Sequence, residues 1–391
     1  MKALLIPSFL CAALTGWSQV KFTPPATPQR PVTDTLHGTY LTDQYRWLED
    51  KENQDVINWT RKQHDYGVEF LEKTQKVHPG LKESIAAIVD LDYEGPYNKV
   101  GKRVFQSVKR KGDKQSKLYT ILDGKKILIW DPVELDASGS TSTNGIEYTY
   151  DGERAAITVQ TGGDEIGTTY FINTRTGKKM YEPIKNTSGF SWCKDQEHAY
   201  ITFRSRKDID GQLPLKTYLW KAGDKPTKLQ FVGSTTDAKN SYYVYDNHYS
   251  NVSFYGEGDF YSNNCYIRPT GTTGKGTLIY ESTKSASYPE AIGEKLYIFT
   301  NDNAPNYKLM VGDVKQPNSS NWKVLIPEGE TVMQGYAITK DGIIIQDKKD
   351  VVSRLTWYDL DGKRIKEIPL PETGSVSGFS YDREEDSVYV S

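Results

Sequence analysis

The stretch from Gln334 to Leu370 constrains this chain more than any other, because it reads as four short strands joined by turns. Gln334–Ile338 is a first strand and Lys340-Asp341-Gly342 a tight turn, with Gly342 supplying the positive φ that a hairpin turn asks for. Ile343–Lys348 is a second strand, dense in β-branched residues, and Lys349–Ser353 a polar loop. Arg354–Asp359 alternates as a third strand around Leu355, Trp357 and Tyr358, Asp361-Gly362 turns the chain again, and Ile365–Leu370 closes the unit. Four short antiparallel strands of this kind are one blade of a β-propeller.

The unit recurs. First-strand landmarks at Tyr148, Trp192, Tyr243, Ala291, Ala337 and Ser380 lie roughly 43 to 51 residues apart, within the spacing of about 40 to 50 of propeller repeats. A single blade cannot bury both of its faces, so the repeat predicts blades stacked around an axis. The expected blades run over Tyr97–Asp136, Ile146–Ile184, Phe190–Val232, Tyr242–Glu281, Tyr288–Pro327 and Gln334–Leu370. A seventh opens at Gly374 with strands at Val376–Ser380 and Val388–Ser391, and is expected to be incomplete. The predicted fold class is all-β, a seven-bladed β-propeller with a short N-terminal helical segment.

Ahead of the period-two region the pattern is different. Phe22–Arg30 is Pro-rich and extended. A helix is expected from about Asn53 to Lys73, with Val56, Trp59, Tyr66 and Phe70 on one stripe and Ile57 and Leu71 flanking it, and a second over Leu81–Val89. Met1–Gln19 has the charged start (Lys2) and short apolar run of a secretory signal peptide. The expected organisation is therefore a signal peptide at 1–19, an extended and helical segment at 20–96, and the propeller at 97–391. An exported chain can form disulfides, but Cys193 and Cys265 fall in different blades and read as separate small hydrophobes. A net charge of −2 supplies no field for nucleic acid or an anionic membrane, and neither is expected as a partner.

The segment Asp43, Tyr45, Trp47, Leu48, Glu49 and Asp50, followed by the long amphipathic helix, resembles the N-terminal signature of the prolyl oligopeptidase family of serine peptidases. Thr300–Leu309 with Trp322–Glu328 resembles that family's fifth blade, and Gly374–Ser380 the opening of its seventh. The resemblance implies a propeller covering an α/β-hydrolase domain in cis, with the N-terminal helices packed on that domain. It also implies a Ser-Asp-His triad that cleaves short peptides after proline, and a propeller that filters substrates. The six signature residues are structural in the family. Trp47 and Leu48 then serve as a hydrophobic anchor, and Glu49 and Asp50 as a charge cluster at a helix N-terminus.

No nucleophile elbow, G-x-S-x-G, occurs in the 391 residues. The nearest string, Gly374-Ser375-Val376-Ser377-Gly378, has Val376 at the nucleophile position, and no catalytic residue is assigned. His37, His64, His78, His198 and His248 form no zinc motif and read as surface or packing residues. Asp208-Ile209-Asp210-Gly211, within the polar excursion Lys207–Pro214, lacks the other ligands of a calcium loop. No P-loop is present and Gly256-Glu257-Gly258 lacks a third glycine, so no cofactor or metal is expected. Three functions fit. One is the propeller portion of an exported prolyl oligopeptidase, inactive alone and gating access to the hydrolase domain. The second is a non-catalytic binding module. The third, a lyase or glycosidase working at the propeller axis, would need convergent carboxylates or a metal.

Overall fold

The computed structural model describes residues 22–75, 79–377 and 379–390. The expected signal peptide, His78, Gly378 and Ser391 lie outside them. Contacts divide the chain into two compact units, at 1–91 and 92–391.

In the first unit, Val32–Leu36 and Thr39–Asp43 form a hairpin, and Arg46–Glu49 is a short 3-10 turn. Helix α1 spans Gln54–Gln75 and helix α2 Leu81–Val89. The stripe expected on α1 is covered by the extended segment ahead of it. Phe22 packs edge-on against Tyr66 and Phe70, with ring centroids 5.5 and 5.0 Å away. The Thr23 N–H donates to Tyr66 Oη (2.5 Å), Gln63 Nε2 to the Pro25 carbonyl (2.7 Å) and Trp59 Nε1 to Thr27 Oγ1 (3.1 Å). A Pro-rich extended segment has few backbone donors and unpaired carbonyls, which suits it to lie along a helix whose side chains donate to it. Helix α2, by contrast, exposes Leu81, Ile85, Ile88 and Val89.

The second unit is the propeller. Blade one splits its first strand between Tyr93–Glu94 and Asn98–Val100, both paired to Arg103–Lys109, with Lys117–Leu122 and Lys125–Trp130 outside. Blades four, five and six are regular four-stranded meanders starting at Ser241, Ser287 and Val332. Blade seven is the hairpin Phe379–Asp382 with Ser387–Val390, a few residues from the expected strands.

Blades two and three depart from the sequence reading. Two separate blades were expected, with a break after Ile184. Instead the long strand Ile184–Trp192 serves both. Its start pairs with Gly167–Asn173 of blade two, and its end pairs with His198–Phe203 as the first strand of blade three. The seven strands form one continuous sheet. A register shift at Thr187/Gly189 bends the shared strand, and similar shifts stand next to Gly145 and Gly335 in the first strands of blades two and six. The excursion of blade three holds the one-turn helix Arg206–Asp210, where Ser205 and Asp208 form a capping box.

The first strands of blades two and three, three and four, and six and seven touch, and apolar clusters fill the seams from blade one to blade six. Phe105, Leu118, Ile129 and Trp130 of blade one meet Ala155, Ile157, Val159 and Ile172 of blade two. Ala156 and Phe171 point the other way, onto Trp192, Ile201 and Trp220 of blade three. Blades four and five share Phe254, Ile267 and Ile279 with Leu296 and Ile298, and blades five and six share Leu309 and Ile326 with Met333, Ile343 and Ile345. The two cysteines are free and buried at separate places.

Two turns of blade six differ from expectation for steric reasons. Lys349 pairs directly with Val352, so the polar loop is a two-residue turn, Asp350-Val351, with φ of 49° and 63°. Gly342 does not adopt a positive φ. A Cβ there would overlap Trp357 Nε1 and the Tyr358 carbonyl, so close approach explains the glycine. The two positions predict opposite effects. Val351 is 84% exposed and β-branched in the left-handed region, so Val351→Gly is expected to stabilise by about 1 kcal/mol. Gly342→Ala is expected to destabilise by about 1–3 kcal/mol. Urea unfolding of the two variants checks both signs, and a loss on Val351→Gly would contradict the strain argument.

Candidate functional site at the turn end of the propeller

In each blade the first strand turns into the second at the same end of the sheet, and these turns interlock around the axis. The Asp151 N–H of blade two donates to Gln196 Oε1 of blade three at 2.8 Å. Lys194 of blade three donates its backbone N–H to Asp246 Oδ2 (2.9 Å) and its ammonium to the Ser250 carbonyl (2.7 Å) of blade four. The Gly293 N–H of blade five reaches the Tyr249 carbonyl of blade four at 3.0 Å. Blade seven is fastened on both sides. Arg383 Nη2 donates to the Ile338 carbonyl of blade six at 2.8 Å, and Tyr381 Oη accepts the Lys340 N–H at 3.1 Å. Lys99 of blade one binds Glu385 and lies 3.4 Å from Asp382.

A second set of contacts joins blades that are not neighbours. The Tyr150 ring of blade two packs against His248 of blade four, tilted by 31° with centroids 4.1 Å apart, and its hydroxyl donates to the Asp246 carbonyl at 3.2 Å. His248 meets Tyr249 edge-on at 4.7 Å, and the Arg383 guanidinium of blade seven lies 5.3 Å from the Tyr249 ring. Contacts that run from blade two to four to seven can be made only across the middle of a ring, so these side chains close the turn end of the axis. Tyr97, Lys99, Tyr150, His248, Tyr249 and Asp382 are among the residues lining a cavity of about 330 Å³ there.

Of the titratable groups around this cavity, Tyr150, Tyr249 and His248 stay neutral near neutral pH, and Lys99 pairs with Asp382. Burial pushes the Tyr150 phenol up to about 12, and Tyr249 is raised for the same reason, so neither ionises near neutrality. The thiols elsewhere are equally quiet: burial raises Cys193 strongly and pushes Cys265 up to about 12. Among the described residues no cluster of three His, Cys, Asp or Glu could hold a metal. The sequence pattern singled out none of Tyr150, Tyr249 or Arg383. All three lie in the first turns of their blades, where loop residues carry no periodic signal, and only the ring brings these turns together.

The signature residues lie in the first unit. Trp47 Nε1 donates to the Pro28 carbonyl at 2.9 Å, its ring meets Trp59 edge-on at 6.3 Å, and the Arg30 guanidinium covers it at 4.4 Å. Asp43 Oδ1 accepts the Tyr45 N–H (2.7 Å), Tyr45 Oη accepts from Gln29 (3.2 Å), and Leu48 is half-buried in the same turn. Glu49 and Asp50 are exposed and precede α1 without capping it; Asn53 Oδ1 accepts the Asp55 N–H at 2.9 Å and does that work. The fifth-blade motif is also a brace: the Asn306 N–H donates to Glu328 Oε1 at 2.6 Å, and Tyr307, at φ 66°, stacks on Phe299 at 4.5 Å. Val376 is tied to blade six, its N–H to Ser353 Oγ and its carbonyl to Gln346 Nε2.

Fold and site together define a seven-bladed β-propeller preceded by a helical unit. The family model for the prolyl oligopeptidase N-terminal β-propeller domain matches residues 24–391, and the chain belongs to that family. It is 25% identical over 402 residues to the prolyl endopeptidase of Elizabethkingia meningoseptica and 24% over 406 residues to that of Elizabethkingia miricola. Each alignment takes in 100% of this chain and 56% of the relative. Among solved structures, a prolyl endopeptidase studied for inter-domain dynamics superposes with a TM-score of 0.83 at 22% identity, over 94% of this chain and 56% of the other. Oligopeptidase B from Leishmania major gives 0.75 at 16% identity, over 94% of this chain and 60% of that one. The chain thus spans little more than half the length of the relatives it matches.

His248 provides a test of the site. Burial disfavours its imidazolium and Lys194 repels it, while Glu384 opposes in part, so it titrates below the ordinary histidine value. On acidification the unfolded chain takes up the proton first. This contribution to stability is therefore complete above the ordinary histidine pKa and is lost as pH falls from there towards the folded value. Unfolding free energy is expected to decline between about pH 7 and 5, and His248→Phe, which keeps a ring on Tyr150, to flatten that decline. An unchanged profile would assign the titration to another group.

Proposed function

We propose that the chain is the N-terminal propeller portion of an exported prolyl oligopeptidase. In this reading the propeller gates a serine-type endopeptidase domain that cleaves short peptides after proline. The single observation that carries it is the closure of the turn end by Tyr150, His248, Tyr249 and Arg383, in a chain whose family is that of prolyl oligopeptidases. A closed axial mouth excludes folded protein by size and admits a flexible chain only when the ring or the turns move. The exposed apolar face of α2 fits a helix that packs on a further domain. The signature residues Asp43, Tyr45, Trp47, Leu48, Glu49 and Asp50 then order the segment that leads into α1. Export follows from the charged start and apolar run of Met1–Gln19.

Acyl transfer by this family's route needs nucleophile, base, orienting acid and oxyanion hole, and the 391 residues carry no G-x-S-x-G elbow. The chain by itself is expected to leave a chromogenic Gly-Pro substrate intact. Turnover abolished by a serine-reactive phosphonate would show that a nucleophile is present and overturn that expectation. Joined to the hydrolase portion of a relative, the propeller is expected to restore cleavage confined to short peptides. Equal cleavage of short peptides and folded proteins would remove the gating role and favour a binding module. For export, N-terminal sequencing of the secreted or periplasmic product is expected to start after about Gln19, and an intact Met1 in the cytoplasm would refute it.

A further inference from the structure

The seam between blades three and four differs from the apolar seams that join blades one to three and blades four to six. Its apolar cluster is small, Cys193, Tyr200 and Val232 against Val244. The rest of it is polar. On the blade-four side Asp246, Ser253 and Arg268 stand in one cross-strand row. Arg268 is only 4% exposed.

The guanidinium of Arg268 is incompletely satisfied. Nη1 donates to the Gly274 carbonyl at 3.3 Å, and the Tyr255 ring covers one face at 4.6 Å. Nε and Nη2 are buried and have no acceptor among the described residues. Thr270 Oγ1, two residues further along, is buried and unpartnered as well. Nε and Nη2 form the edge with which arginine grips a carboxylate or phosphate through two parallel bonds. This molecule uses that edge twice elsewhere. Arg103 places Nε and Nη2 on Glu153 at 3.1 and 2.7 Å, and Arg354 places them on the two oxygens of Asp347 at 2.9 and 2.8 Å.

No carboxylate of the seam is free to complete Arg268. Asp246 takes the Ser253 hydroxyl (2.6 Å), the Tyr200 hydroxyl (3.2 Å) and the Lys194 N–H. Glu257 takes the Thr236 N–H (2.7 Å), the Thr236 hydroxyl (2.6 Å) and the Asn240 amide (3.2 Å). Asp246 and Glu257 supply buried negative charge in the same region, but their oxygens are taken by other donors, so the paired Nε–Nη2 edge itself is left without an acceptor. Beside Arg268 is a cavity of about 470 Å³, whose exposed rim carries Lys275 on the glycine-rich turn Thr270–Gly276, with Glu281 at its edge.

We infer that this cavity is a binding site for a small oxyanion, a carboxylate or phosphate group, gripped by the Nε–Nη2 edge of Arg268 and met at the rim by Lys275. Because the edge is sealed from solvent, the ion enters when the turn lifts, which breaks the Arg268–Gly274 bond and the bond from the Gly276 N–H to Tyr255 Oη (2.7 Å). Glu281 at the rim sets a preference for small ions over acidic chains.

The test is read without enzyme activity and stands apart from the proposed function. Inorganic phosphate and acetate are titrated into the full chain against chloride at matched ionic strength, and binding is followed by calorimetry and by thermal unfolding. Stabilisation is expected to grow with the logarithm of ion concentration. Arg268→Met removes the buried charge and should abolish the effect. Lys275→Ala, at an exposed position, keeps the fold and should weaken binding by about fivefold. Binding of both ions assigns the shared carboxylate and phosphate chemistry, and binding of phosphate alone assigns a tetrahedral oxyanion. No shift beyond chloride, or a shift kept intact in both variants, overturns the inference.

Discussion

Face-to-face packing of the sheets is the interaction on which the propeller depends. Each blade is a twisted sheet with two faces to cover, and neither face can be left to water. Alternation along a strand sends Ile157 to blade one and Ala156 to blade three, so one strand contributes to two seams. Burial of large side chains such as Phe105, Phe171, Phe254 and Trp220 at or below about 1% exposure is possible only because a neighbour supplies the opposing face. Each such side chain contributes about 1.5–3 kcal/mol, and none of it is available to an isolated blade.

Where apolar packing is thin, polar contacts take over, and those places have functional interest. Blade seven is held by Arg383, Tyr381 and Lys99. The seam of blades three and four holds a buried arginine beside a cavity. The turn end of the axis is closed by rings and one guanidinium. Aromatic and cation–π contacts of this kind are individually modest, so such regions open at lower cost than the apolar seams do. The gating and the ion binding proposed above would both draw on that property.

The first unit shows local segments acting as partners for one another. Helix α1 has an apolar stripe that, read alone, asks for a separate domain to cover it. Phe22 to Arg30 covers it, with Trp47 closing the end. Periodicity identifies which face of a helix is apolar, but not what lies on it, because the partner is chosen by chain path. Helix α2 keeps its apolar residues exposed, and it is there that the question of a further partner surface belongs.

The repeat, the strand order and the helices were legible from residue order, because period-two alternation, turn residues and the 3.6-residue stripe are local properties. For that reason α2 could be read residue by residue and the four strands of blade six by order and approximate place, though not its turns. The rest depends on contacts between segments far apart in the chain. The strand Ile184–Trp192 belongs to two blades, since strand pairing depends on which edge lies alongside. Gly342 is required by Trp357 and not by its own φ, and Val351 takes a left-handed turn that the paired strands impose. The candidate sites were illegible for the same reason. Tyr150, His248 and Arg383, or Arg268 and Lys275 with the engaged carboxylates Asp246 and Glu257, become a closure or an unmet donor edge only when ring closure and sheet register bring distant turns and strands together.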